Sequence, residues 1–161
     1  MQEVNATYDS QDRLLTYGDL SFDYDPNGMT REITNTSTGD KKTLVNDIYG
    51  NLLSVKDKTH EITYRVDPRN RRIARYMNGA LTYGLVYIGQ LNPIALVNEA
   101  GEVTTTFTYG SLSHAPDTME QGGVTYKILT DHLGSVRMVI NSQTGEVVQE
   151  MSYDTFGQVL T

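Results

Sequence analysis

The chain has no cysteine and no tryptophan. The first absence excludes disulfides and thiolate metal sites. Long apolar runs are also missing, and none approaches the roughly 20 residues that cross a bilayer as a helix. The opening Met1-Gln2-Glu3-Val4-Asn5 has neither the basic start nor the apolar stretch of a secretory signal. Positive charge is scarce, with 13 Lys and Arg against 20 Asp and Glu and a net charge of −7. The nearest thing to a basic stretch is Arg69, Arg71, Arg72 and Arg75, interleaved with Asp67 and apolar residues. A phosphate-binding patch is one reading of it. A solvated strand face is the better one, because the overall charge repels nucleic acid. No segment shows a 3.6-residue apolar period with caps. Hydrophobic residues reach only 38%, thin for a compact two-layer domain.

What the chain does contain is strand formers and turn formers. Tyr occurs 11 times, Thr 20 times and Val 13 times. These residues fit a pleated sheet, and the tyrosines suit a surface that is apolar on average and wet at its edge. The turn formers recur as a unit: an aromatic or apolar residue, then Asp or Asn, two variable residues, then Gly or a substitute. Copies are Tyr8-Asp9-Ser10-Gln11-Asp12, Tyr24-Asp25-Pro26-Asn27-Gly28, Asn46-Asp47-Ile48-Tyr49-Gly50 and Val66-Asp67-Pro68-Arg69-Asn70. Later copies are Val97-Asn98-Glu99-Ala100-Gly101 and Tyr153-Asp154-Thr155-Phe156-Gly157. The spacing has a local cause. The Asp or Asn side chain bonds backbone N–H groups just downstream, Pro presets φ, and Gly, Asn or Asp accepts a positive φ.

Between the turns, apolar and polar residues alternate with period two. Leu20, Phe22 and Tyr24 share a face, as do Ile62, Tyr64 and Val66. Val103, Thr105, Phe107 and Tyr109 form another run, and Val147, Gln149, Met151 and Tyr153 a fourth. Asn78-Gly79 between residues 72–77 and 81–87 is a strong hairpin signal. Thr38-Gly39-Asp40 and Gln143-Thr144-Gly145-Glu146 read as further hairpin tips, and Gly122-Gly123 punctuates the chain before residues 124–130. Residues 112–123 lack alternation and read as a long loop. Residues 156–161 read as a last strand without a following turn. The fold class expected is all-β: an antiparallel hairpin meander or spiral whose units bury their faces against neighbours. No polar cap is written at either end, so a segment of a longer array is expected, with open edges able to pair with another copy.

The repeat unit resembles the YD (RHS) repeat of bacterial RHS proteins, Tc-toxin B/C components and teneurins. Tyr83-Gly84-Leu85-Val86-Tyr87 followed by Gly89-Gln90-Leu91-Asn92-Pro93-Ile94-Ala95, and then Pro116-Asp117-Thr118-Met119, fit the family pattern. Asp131-His132-Leu133-Gly134-Ser135-Val136-Arg137 is the most specific motif and is similar to the RHS repeat-associated core. The resemblance implies YD repeats over residues 1–80 and repeats running into that core over 81–161, in one continuous sheet. It implies a segment of an RHS-type hollow shell that encloses a C-terminal toxin domain. The partners implied are the rest of that shell and its toxin cargo. The place implied is outside the cell or on its surface, as part of a longer bacterial protein. This sequence ends at Thr161, before the family's Asp-Pro-x-Gly-Leu self-cleavage element, so neither autoproteolysis nor toxicity is carried over to this chain. Related proteins also leave open a module that binds a cell-surface carbohydrate or protein.

The site residues expected are structural: Tyr8, Asp9, Tyr24, Asp25, Gly28, Asp47, Gly50, Asp67, Asn70, Gly101, Asp131, His132, Gly134, Arg137, Tyr153, Asp154 and Gly157. His132 and Arg137 are expected to tie a turn to adjacent strands. No catalytic, cofactor or metal site is expected. Asp25-Pro26-Asn27-Gly28-Met29 resembles the cleavage element but sits on a hairpin tip. Asp131, His132 and Ser135 have the residue types of a catalytic triad, yet their near-adjacency argues against its geometry. His60, His114 and His132 lack metal-ligand spacing. Gly122-Gly123 has no phosphate-binding Lys after it. Glu99 and Glu102 are hairpin-tip residues rather than an acid–base pair.

Overall fold

The computed structural model describes residues 4–155 and 157–160. Among them there is no helix. The strands are β1 (Ala6–Tyr8), β2 (Leu14–Tyr17), β3 (Leu20–Tyr24), β4 (Thr30–Asn35), β5 (Lys41–Asn46), β6 (Leu52–Lys56), β7 (Glu61–Val66) and β8 (Arg72–Met77). Then follow β9 (Ala80–Ile88), β10 (Asn92–Val97), β11 (Val103–Thr108), β12 (Thr118–Gln121), β13 (Val124–Thr130), β14 (Val136–Asn141) and β15 (Val147–Glu150). They follow chain order in one open antiparallel sheet. The chain divides into two compact units, Met1–Thr82 and Tyr83–Thr161, and the boundary falls within β9.

In the first unit the register sets apolar partners side by side. Phe22 faces Ile33, Leu44 faces Val55, Val55 faces Ile62, and Ile62 faces Met77. Because side chains alternate, these residues and Tyr24, Tyr64 and Val66 share one face. All except Met77 are only half-buried. In the second unit Leu85 faces Leu96, Phe107 faces Met119, and Ile128 faces Val139. Among the described residues no side chain is fully buried, and the most buried are Ala74, Ala95, Ala115, Val139 and Thr105. The order is that of a single layer, stabilised by ladders and cross-strand pairs rather than by a closed core.

Three sequence expectations are corrected. Residues 118–121 are not loop: Thr118–Gln121 is β12, paired on one side with β11 and on the other with β13 through the Gly122-Gly123 turn. Its alternation is hidden because only Met119 is apolar, and pairing on both sides makes it a strand. The long loop is therefore confined to residues 109–117. The run Val147, Gln149, Met151, Tyr153 is not one buried face: β15 stops at Glu150 and is exposed throughout. Of the expected last strand, Phe156 and Thr161 lie outside the described residues. The rest contributes a single bridge, Tyr153 to Val159.

Candidate functional site

Seven turns share one construction, beginning at Asp9, Asp25, Asp47, Asp67, Asn98, Asp131 and Asp154. In each, the first residue's N–H donates to the carbonyl four residues on, and the N–H of the fourth residue donates back to the first carbonyl. Each first side chain uses Oδ1 to accept the N–H four residues on: Arg13, Met29, Asn51, Arg71, Glu102, Ser135 and Gln158, at 2.8–3.0 Å. Five also accept the N–H two residues on, from Gln11, Asn27, Tyr49, Arg69 and Leu133. The fourth position is left-handed in all seven: Asp12, Gly28, Gly50, Asn70, Gly101, Gly134 and Gly157. That geometry selects Gly, Asn or Asp. In six copies the register slips by one residue beside the turn, for example between Asp23 and Tyr24. This is a bulge that sharpens the strand twist.

The second carboxylate oxygen reaches a side chain. Asp9 takes Nε of Arg13 at 2.7 Å and Asp67 takes Nε of Arg71 at 2.8 Å. Asp47 takes Nδ2 of Asn51 at 2.8 Å. At Asp131 the fifth residue is the short Ser135, and Arg137 supplies its Nε at 2.9 Å from two residues further on. At Asn98 the polarity is reversed: its Nδ2 donates to Glu102 at 2.9 Å. The carboxyl pKa values fall accordingly. Asp9 is lowered chiefly by the Arg13 N–H, Asp47 by the Asn51 amide, and Asp67 by the Arg71 guanidinium. At Asp131 desolvation opposes the shift, but the Ser135 N–H and Arg137 carry it downward.

The residue before Asp links one turn to the previous one. Tyr24 donates its hydroxyl to the carbonyl of Leu14 at 2.7 Å, and Arg13 lies 5.1 Å from the ring centre. Tyr153 repeats this with the carbonyl of Val136 at 2.7 Å and with Arg137 at 5.0 Å. Asn46 occupies the same position in its turn and donates Nδ2 to the carbonyl of Thr30 at 3.3 Å. The Tyr-Asp pair thus has two jobs: Asp caps its own turn, and Tyr ties it to the turn before. Tyr8 is 59% exposed and shows no such bond among the described residues.

In the second unit the Asp131 turn supports the long loop. The His114 ring lies where a Cβ on Gly134 would stand. Asn92 donates to the carbonyl of Ser113, Ser111 bonds Asp117, and Tyr109 donates to the carbonyl of Pro93 at 2.9 Å. His132 and Leu133 stand exposed at the tip.

None of this assembles acid–base machinery. Asp131 is spent on Leu133, Ser135 and Arg137, and His132 bonds to none of these. Ser111 is bonded directly to Asp117, while His114 faces Gly134. The arginines singled out by sequence are engaged: Arg71 with Asp67, Arg72 3.8 Å over the Tyr64 ring, and Arg75 with Thr82. No three metal-ligating side chains cluster among the described residues. The sequence reading missed a lysine group, although four of the five lysines fall at residues 41, 42, 56 and 58. It also missed the linking role of Asn46, which its alignment with Tyr24 reveals.

Capped turns tied pairwise along an open antiparallel sheet make a repeat array. The family model for the teneurin YD-shell matches residues 1–161. The chain belongs to the teneurin YD-shell family. As a YD-shell segment it is similar to the tRNA3(Ser)-specific nuclease WapA of Bacillus spizizenii, 27% identical over 157 residues, and to the tRNA nuclease WapA of Bacillus subtilis, 28% identical over 157 residues. Both matches cover 96% of this chain, which spans only 6% of the length of those curated relatives. Among solved structures, that of TcdB2-TccC3 superposes with a TM-score of 0.57 and 15% identity, over 97% of this chain and 10% of that one. It shares the fold of the YD-shell.

Proposed function

We propose that the chain is a wall segment of an RHS-type shell that encloses a C-terminal toxin domain carried by a longer bacterial protein and delivers it outside the cell. Residues 1–80 supply YD repeats, and residues 81–161 carry the repeats into the core motif. The named turn residues act structurally, and the wall does no chemistry of its own. The observation that carries this reading is a single-layer sheet with half-buried apolar residues on one face of the first unit. Such a face needs cover, and an enclosed domain or the neighbouring wall supplies it. Nuclease activity named for the WapA relatives then belongs to parts of those proteins outside the shared segment.

Two measurements test this. In the parent protein, the C-terminal domain should resist protease while the wall is intact and become cleavable when Asp47 and Asp67 are both changed to Ala. Equal cleavage before and after the change sinks the enclosure. The 161-residue chain alone should leave tRNA uncut over hours. Cleavage that survives repurification would make the wall catalytic.

A further inference from the structure

In each capped turn of the first unit, Asp caps, the fourth residue takes the left-handed backbone, and the fifth gives its N–H to Oδ1. The cap needs no particular side chain at the second and third places. Four different pairs stand there: Ser10-Gln11, Pro26-Asn27, Ile48-Tyr49 and Pro68-Arg69. Only the Ile48-Tyr49 pair is apolar throughout, and these are the two most exposed large hydrophobic residues described, at 85% and 75%. They do nothing for the turn that carries them. Burial against something outside the chain is what such a pair can contribute.

Beside this knob lies a hollow on the same edge. Neighbouring turns of one edge are two strands apart, roughly 10 Å, which leaves room for about one side chain between the β3–β4 and β5–β6 tips. The floor is Met29, 37% exposed, with its Sδ and Cε over Gly50 at 3.7 and 3.5 Å from where a Cβ would stand. Gly50 has no side chain to fill the space, and a thioether adapts its shape to whatever presses on it.

The polar groups match as well. The Tyr49 hydroxyl has no hydrogen-bond partner among the described residues. Asp25 accepts the N–H groups of Asn27 and Met29 through Oδ1, both at 2.9 Å, and its Oδ2 is unbonded among the described residues. Asp47, beneath the knob, is engaged at both oxygens, by the N–H groups of Tyr49 and Asn51 and by the Asn51 amide.

One edge therefore holds both halves of a contact: an apolar pair with a free hydroxyl, next to an apolar floor with a free carboxylate oxygen. Such a surface fits a copy of itself turned about a two-fold axis. We propose that this edge of the first unit is a homodimer interface. Ile48 and Tyr49 of each copy rest on Met29 of the other, and the Tyr49 hydroxyl donates to Asp25 across the axis. Each copy carries a net charge of −7, so the contact is held by apolar burial against a like-charge repulsion. It does not depend on whether the wall encloses a cargo.

The test is sedimentation equilibrium of the 161-residue chain from micromolar to millimolar concentration. A reversible monomer–dimer equilibrium is expected, tightening as added salt screens the repulsion. The double variant Ile48→Ser, Tyr49→Gln installs the pair that the chain already carries at Ser10 and Gln11. Its dimer Kd should rise at least about a hundredfold, since four apolar side chains leave the contact. Circular dichroism should stay unaltered because the cap is untouched. If it does not, Met29→Glu repeats the test from the hollow side, at a turn position where Glu102 already stands in another copy. Tyr49→Phe should raise the Kd about fivefold or more, one hydrogen bond being lost on each side of the axis. Leu133→Ser, at an exposed apolar tip of the other unit, should change nothing. The proposal is overturned by a monomer throughout the range, by a Tyr49→Phe dimer as tight as the parent, or by a dimer that Leu133→Ser dissolves. It is overturned too if the double variant dimerises undiminished, which would place the contact on the open edges of β1 and β15.

Discussion

In the first unit the four Asp turns lie on the same edge of the sheet, at β1–β2, β3–β4, β5–β6 and β7–β8. In the second unit the Asp131 and Asp154 turns share one edge, but the Asn98 turn lies on the other. The linkage differs too. Successive turns of the first unit are tied in series: Tyr24 to Leu14, Asn46 to Thr30, Asn51 to Asn70, with Met29 against Gly50. The second unit adds a loop, residues 109–117, that is tied to β10 at Asn92 and Pro93 and meets the Asp131 turn through His114. Charge divides the same way. Residues 1–82 hold eleven of the 13 basic residues and twelve of the 20 acidic ones, leaving two and eight for residues 83–161. The first unit is a repeat array in which each joint contributes a little. The second is an array interrupted by one irregular joint on which much depends.

The largest expected effect follows from that joint. Gly134 has φ of +89°, and a Cβ there collides with His114. Gly28 in the first unit has φ of +83° with nothing within 4 Å. Gly28→Ala should therefore cost only the left-handed penalty, about 1–2 kcal/mol. Gly134→Ala should cost about 2–3 kcal/mol, because it also expels the His114 ring. Urea unfolding of both variants measures the gap. Adding His114→Ala to Gly134→Ala should recover the excess and nothing more. If the two glycines cost the same, the loop is not seated on the turn.

Acid should separate the units next. Carboxyls with lowered pKa are Asp9, Asp23, Glu32, Asp47, Asp57 and Asp67 in the first unit, against Asp117 and Asp131 in the second. A folded value below the unfolded one gives stability that is complete above the unfolded value and lost as pH falls through the folded value. For the aspartates this window opens at 3.8 and, for Asp57, closes at about 2. Amide exchange followed through that window should show protection lost first in β1–β8. Simultaneous loss in β10–β14 would mean that the capped carboxylates do not govern acid stability.

The turns were legible in the sequence because their chemistry is local. Asp47 and Gly50 find their partners within four residues, so spacing alone declares them. The side of the sheet on which a turn falls is not local. It depends on how many strands precede it, and the Thr118–Gln121 strand gives no alternating signal. The seat of His114 on Gly134 joins residues twenty apart across a hairpin. Lys42 and Lys58 line one groove only because two turns of unlike sequence end up adjacent. Linear reading therefore recovered the repeating element and lost the places where copies meet. Those places are where Tyr24 and Tyr153 act, and they offer a matched comparison. Tyr24→Phe and Tyr153→Phe each remove one hydroxyl-to-carbonyl bond of 2.7 Å. Each should cost about 1 kcal/mol by denaturant unfolding. A much larger cost at Tyr153 would show that the core turn relies on its link more than the array does.

The smallest effect should have the opposite sign. Alternation predicts Val103, Thr105, Phe107 and Tyr109 on one face, with the valine the natural candidate for burial. Val103 is instead 58% exposed, and Thr105 is the buried member at 3%. Its Oγ1 has no hydrogen-bond partner among the described residues. Leu96 and Gln121 flank it in the ladder. A buried hydroxyl without a partner gives up hydration and gains nothing in return. Thr105→Val keeps the β-branched shape and removes that loss, so it should stabilise the second unit by up to about 1 kcal/mol. Thr63 in the first unit is only half-buried, and Thr63→Val should change little. A destabilised Thr105→Val variant would show that an ordered water satisfies the hydroxyl, because the mutation would then strand that water without its partner.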